Sequence, residues 1–201
     1  MAKEISGLVV AAGLSSRMGV FKPLLKLRGK TVIENSVGSV LDGGARTVVV
    51  VTGYRADEIE SLLHNRFGER VLIVRNDEYY ATDMLASVKI GCAKLPAVDA
   101  FYLLPGDMPT VKKSTFELLR AEWEKTGGVV FPTLDGHRKH PPLISGELAG
   151  AIAAFHAEGG LRQFWKIHED IAHEVSVKDE GVSIDLDFPE DYERCKLLYE
   201  P

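Results

Sequence analysis

The stretch Gly7-Leu-Val-Val-Ala-Ala-Gly13-Leu-Ser-Ser-Arg17-Met-Gly19-Val-Phe-Lys22-Pro-Leu-Leu25 decides the fold. An apolar strand runs straight into a loop of glycines, hydroxyls and cations, the arrangement with which α/β sheets present a phosphate site. Between Glu4 and Glu34 there is no acidic residue, whereas Arg17, Lys22, Lys26, Arg28 and Lys30 give this window a charge of +5. The whole chain carries −5. A cationic segment on an acidic body concentrates small anions locally.

Outward from this stretch the apolar pattern recurs. Residues 4–10 and 46–52 are continuous apolar runs, as expected of strands buried on both faces of a parallel sheet. Between them Thr31 opens a helix to about Leu41, closed by Gly43-Gly44. Gly53 marks the following turn; helices at 56–63 and 84–94 then alternate with strands at 70–74 and 99–104, the last ending on Pro105-Gly106-Asp107-Met108-Pro109. Successive βα units with right-handed crossovers describe an α/β fold, a Rossmann-like doubly wound, mostly parallel sheet. Its ligand belongs beyond the carboxyl ends of the strands, where Gly13, Gly53 and Asp107 fall.

After a helix at 114–125 the pattern changes. Residues 129–133, a polar hairpin-like segment at 135–140 and a run at 142–145 predict a small antiparallel addition to the sheet. Short helices are expected at 147–156 and 161–168, strands at 172–177 and 183–187, and a last helix from Pro189 with Glu190 and Asp191 in its first turn. No linker composition interrupts the chain, so residues 1–201 are expected to form one domain.

Composition narrows the function. An acidic chain without a second basic cluster is a poor nucleic-acid binder. No apolar run approaches the ~18 residues of a membrane span, and no charged-then-apolar leader is visible, so the expected location is cytoplasmic. Cys92 and Cys195 are far apart and outside any CxxC spacing, which predicts two free thiols.

The spacing of Gly13 and Gly19 fits neither the P-loop nor the dinucleotide-binding pattern. What remains is a turn in which Ser15, Ser16, Arg17 and Lys22 present hydroxyls and cations to a polyphosphate. Asp107, just past an apolar strand, is either a turn or capping residue or a hard carboxylate for Mg²⁺ shared with phosphate oxygens. Asp185 is a second candidate metal ligand; along a strand Asp185 and Asp187 share one face, which leaves open which of them serves. His137 and His140 lack a third ligand nearby and read instead as the side that meets a second, anionic substrate. His168-Glu169 to His173 is one residue too long for HExxH, and Trp123, Phe155, Phe164 and Trp165 are expected in the core.

These residues also carry a family resemblance. Leu8 to Gly19, Lys22-Pro-Leu-Leu25, Gly106-Asp-Met-Pro109, His140-Pro141 and Asp185 to Tyr192 closely resemble the MobA-like nucleotidyltransferases, and within them the molybdenum cofactor cytidylyltransferases. The resemblance implies a sheet of the nucleotide-diphospho-sugar transferase type, with an NTP-binding half over about 1–110 and an acceptor-binding half over about 111–201. It implies Arg17 and Lys22 on the nucleotide phosphates, Asp107 and Asp185 on Mg²⁺, and nucleotide contacts from Ala11, Ala12, Gly13, Ser15, Ser16, Gly19, Gly53, Asn76 and Ser87. His140 falls on the acceptor side, and Arg162, in Gly159-Gly160-Leu161-Arg162, is either an acceptor contact or a surface cation at a helix start. The Ala-Ala-Gly form of the opening favours CTP over GTP, with molybdopterin as the phosphorylated acceptor and a molybdoenzyme or its maturation factor as a further partner. Two departures stand out: Asp83 replaces a family glycine, and Phe188 a family threonine. The runner-up functions are a sugar- or polyol-phosphate nucleotidyltransferase and a non-catalytic nucleotide- or cofactor-binding accessory protein.

Overall fold

The computed structural model describes residues 3–199. The chain runs β1 (Ile5–Ala11), a short hairpin of β2 (Lys26–Leu27) and β3 (Lys30–Thr31), α1 (Val32–Asp42), β4 (Val48–Thr52), α2 (Ala56–Phe67), β5 (Val71–Arg75), α3 (Met84–Cys92) and β6 (Ala100–Pro105). It continues through α4 (Lys113–Thr126), β7 (Val129–Leu134), β8 (His137–Arg138), β9 (Leu143–Ser145), α5 (Leu148–Ala153), α6 (Gly160–Ile167), β10 (Ala172–Ser176) and α7 (Pro189–Tyr199).

The main sheet has the order β10-β7-β9-β6-β1-β4-β5, with β8 paired to β7. β1, β4, β5 and β6 are parallel neighbours; the valines and leucines of β4 and β6, and most of those of β1, are buried on both faces because helices cover both, whereas the edge strand β5 leaves Leu72 exposed. Residues of β6 alternate between the two cores: Tyr102 and Leu104 pack with α1 and α4, Phe101 and Leu103 with α3, α5 and α6. The antiparallel addition is β9, which pairs with β6 on one side and β7 on the other. The polar segment 135–140 forms a β7–β8 hairpin whose Asp135-Gly136 turn has positive φ at both residues, the geometry that matches strand twist.

Two consequences matter for the site. Chain direction leaves β1 toward β4 and β5, then returns to place β6 on the other flank of β1, so the loops after β1 and β6 diverge and open a crevice at the sheet's carboxyl edge. One wall of that crevice is α3, which sits close because Gly91 faces Leu8: a Cβ there would lie 2.2 Å from Leu8 Cδ1 and 2.9 Å from Val51 Cγ2.

The strand expected at 183–187 does not form. A 3₁₀ turn occupies Glu180–Ser183, capped by the buried Asp179, and residues 184–187 run on without a sheet partner. Ile184 and Leu186 still bury, but against Leu27, Val32 and Cys195 in a third cluster under α7. The apolar alternation reflects this packing and not a ladder. The helix expected at 147–156 stops at Ala153, and both cysteines are buried and outside any disulfide.

Candidate active site

A cleft of about 300 Å³ opens at the switch between β1 and β6. Its floor is the end of β1, Val10 to Gly13, and the turn Pro105-Gly106-Asp107; its walls come from the loop Ser15–Arg17 with Lys22, from Tyr79, Thr82, Asp83, Met84 and Ser87, and from Asp187.

The loop after β1 is held by two apolar anchors, Met18 and Phe21, both buried. Ser15, at positive φ, accepts the Met18 amide on its carbonyl and the Lys22 amide on its Oγ. Lys22 is thereby turned inward at the head of a 3₁₀ turn, with only 12% of its side chain exposed. Its Nζ donates to Asp107 Oδ2 at 2.8 Å and to Asp187 Oδ1 at 2.9 Å, and Arg17 Nη1 donates to Asp187 Oδ2 at 2.7 Å. Burial pulls the Lys22 pKa down, but the two carboxylates outweigh it and hold the ammonium above its ordinary value. The Lys22 hydrogen bond in turn keeps Asp187 below the usual carboxylate range. Lys22 is partly buried and shared by two carboxylates, so the loss of one leaves it paired with the other.

Among the described residues no group of three or more His, Cys, Asp or Glu is placed to hold a metal. Two carboxylates, Asp107 and Asp187, converge on one cation position, and two carboxylates completed by substrate phosphates are what Mg²⁺ takes from a protein. The donor set fits a hard divalent ion.

The residues expected from the sequence separate into groups. Ala11, Ala12, Gly13, Ser15, Ser16, Arg17, Lys22, Ser87 and Asp107 all line the cleft. Asn76 does not; it is buried behind the wall, donating to Thr82 Oγ1 and Ser87 Oγ at 3.0 Å each and accepting the Glu78 amide. Gly53 also stands behind it, where a Cβ would come within 2.6 Å of the Ala12 carbonyl oxygen and of Tyr79. Gly19 provides a positive-φ turn outside the cleft. Of the five cations in the opening window only Arg17 and Lys22 reach it: Lys26 and Lys30 are exposed on the β2–β3 hairpin, and Arg28 donates to the Tyr199 carbonyl and lies over the Tyr199 ring.

Asp185 is exposed and does not line the cleft. No strand forms at 183–187; Leu186 N donates to the Asp107 carbonyl, and Asp187, not Asp185, shares Lys22 with Asp107. His140 has its Nδ1 enclosed without a partner; burial lowers its pKa, while the Leu103 carbonyl, Asp107 and Asp185 act in the opposite direction without reversing it. Arg162 is exposed in the first turn of α6, outside the cleft. Tyr79 and Thr82 were not foreseen; both sit in the connector between β5 and α3 at the carboxyl edge of the sheet, and that position was their only signal.

Residues 7–174 match the model of the MobA-like NTP transferase domain. The chain belongs to this family. It is 31% identical over 200 residues to the molybdenum cofactor cytidylyltransferase of Escherichia coli, covering 97% of each chain. It is 34% identical over 164 residues to a probable molybdenum cofactor guanylyltransferase of Opitutus terrae, covering 81% of this chain and 74% of that one. Among solved structures, a nucleotidyl transferase from Methanothermobacter aligns with a TM-score of 0.82 at 28% identity, covering 98% of each chain. This MobA-like protein is therefore a nucleotidyltransferase-family enzyme. The matched segment contains Lys22 and Asp107 but ends before Asp187.

Proposed function

We propose that this MobA-like protein transfers CMP from CTP to a phosphorylated acceptor of the molybdopterin class and releases pyrophosphate. The observation that carries the reading is the partly buried Lys22 ammonium, held between Asp107 and Asp187 at the mouth of a loop that follows β1. The names of the E. coli and Opitutus relatives supply the substrate classes. The Ala11-Ala12-Gly13 opening resembles that of the cytidylyl-transferring members of the family, which supports cytidine.

In this reaction an oxygen of the acceptor's terminal phosphate forms a bond to the α-phosphorus, and the bond from that phosphorus to the bridging oxygen of the β-phosphate breaks. No protein nucleophile and no general base are needed, since the attacking phosphate is already anionic at neutral pH. What the protein must supply is positioning and charge compensation between reactants that repel each other. Arg17 and Lys22 hold the triphosphate against the floor formed by Ala11, Ala12 and Gly13, with Ser15 and Ser16 beside it, and Asn76 fixes Ser87. Asp107 and Asp187 are the residues that would hold Mg²⁺, which offsets phosphate charge and polarises the α-phosphoryl group when bound. His140 and Arg162 belong to the acceptor side, His140 as a neutral ring.

The test is pyrophosphate release from purified protein with CTP, Mg²⁺ and molybdopterin, alongside sugar phosphates as acceptors. Release with molybdopterin supports the reading; release only with a sugar phosphate moves the protein to the other acceptor class. Binding without turnover for any acceptor makes it an accessory protein. Asp107→Asn is expected to lose at least about 100-fold in turnover while its melting temperature changes little, since the loop carboxylate supports no core packing. Wild-type turnover in that variant would remove Asp107 from the metal site.

A further inference from the structure

One charged group in the cleft has no task in the transfer step. Asp83 lines the cleft and caps α3: its Oδ1 accepts the Ala86 amide at 3.0 Å, and its Oδ2 has no hydrogen-bond partner among the described residues. A bare helix N-terminus would attract a phosphate, but here the side chain already offsets the helix dipole with a negative charge. The triphosphate is thus drawn to Arg17 and Lys22 and repelled from the α3 wall, which leaves that wall for the base. Ser87, one turn along α3, has its Oγ engaged as acceptor by Asn76. A carboxylate can only accept, whereas the Watson–Crick edge of cytosine offers an amino donor where uracil offers a carbonyl.

We infer that Asp83 is a specificity-determining residue: Oδ2 accepts a hydrogen bond from the exocyclic amino group of the nucleobase, cytosine N4 first, and its charge rejects bases that present only a carbonyl at that position. The inference rests on reading the cleft as a nucleotide site, and it deepens that reading by naming the side chain that distinguishes CTP from UTP.

Calorimetric titration with CTP and UTP in the presence of Mg²⁺ tests it on the wild-type chain, Asp83→Asn and Asp83→Ser. Both variants keep a good N-cap for α3, so the wall stays folded. Wild type is expected to bind CTP at least about tenfold more tightly than UTP, the scale of one good base-edge hydrogen bond. Asn carries an amide that can turn its NH₂ toward a carbonyl, so Asp83→Asn should gain UTP and bring the ratio within about threefold. Asp83→Ser, too short to reach, should lose CTP affinity without gaining UTP. Nucleotide binding with an unchanged CTP-to-UTP ratio in Asp83→Asn overturns the base-reading role and leaves the nucleotide site standing. Failure of wild type to bind either nucleotide overturns both.

Discussion

Lys22 lies between the two carboxylates that we propose hold a divalent ion, and this makes an unusual prediction at the level of one residue. In Lys22→Ala the carboxylates of Asp107 and Asp187 lose their shared cation, so Mg²⁺ or Mn²⁺ titrated without nucleotide should bind several-fold more tightly than to wild type. Pyrophosphate release with CTP should nevertheless fall by about 100-fold, because the triphosphate has lost a donor. Calorimetry and a turnover assay on the same preparation separate the two, and an unchanged metal affinity would show that metal and lysine do not share ligands. His140 gives a pH prediction. Its folded pKa lies below its ordinary value of 6.5, so the unfolded chain takes up a proton first as pH falls; stability is complete above about 6.5 and is lost as pH drops through the folded value. The melting temperature of wild type should therefore fall more between about pH 7 and pH 5 than that of His140→Gln. That Lys22 and Asp107 face the cleft was legible in the sequence, because Asp107 stands just past the end of β6 and Lys22 belongs to the cationic loop that follows β1. Asp187 was not separable from Asp185, since the choice depends on where an unpaired segment meets a lysine 165 residues away.

At the scale of elements, α3 shows how packing sets the width of the cleft. Gly91 lets it approach β1, and the same helix carries Asp83 and Ser87 to the site. Gly91→Ala must displace Leu8 or push the helix outward; overpacking of this kind costs about 1–3 kcal/mol. Urea denaturation should register that loss, and CTP titration should show weaker binding because the wall moves with the helix. A variant as stable as wild type would mean that Leu8 yields without moving α3. Elements with strong local signals were readable: Thr31 and Glu34 form a capping box at the start of α1, and the valines of β4 form a buried strand. The position of β9 was not, because three residues between two longer strands carry no information about which neighbours they join. The 184–187 segment misled for a related reason: burial alternates along any extended chain against an apolar surface, with or without a ladder.

Over the whole molecule, β9 ties β7 and β10 into the same sheet as β6 and β1. Trp123 packs in the core under α1 and α4, Trp165 in the core on the opposite face. If the two halves unfold as one domain, tryptophan fluorescence and far-ultraviolet circular dichroism should give coincident denaturation curves; separated midpoints would divide the chain near residue 110. The doubly wound core was legible because its strands are long and apolar, whereas the return of the chain's last third to the β6 loop has no local signature. That return has a consequence in time. The hydrogen bond from Leu186 to Asp107 and the ion pair from Asp187 to Lys22 cannot form until residues 184–187 have followed the strands of the sheet out of the ribosome. Until then the nascent protein has its sheet, its cationic loop and one of the two cleft carboxylates but lacks the second, so scaffold and cleft are completed at different times.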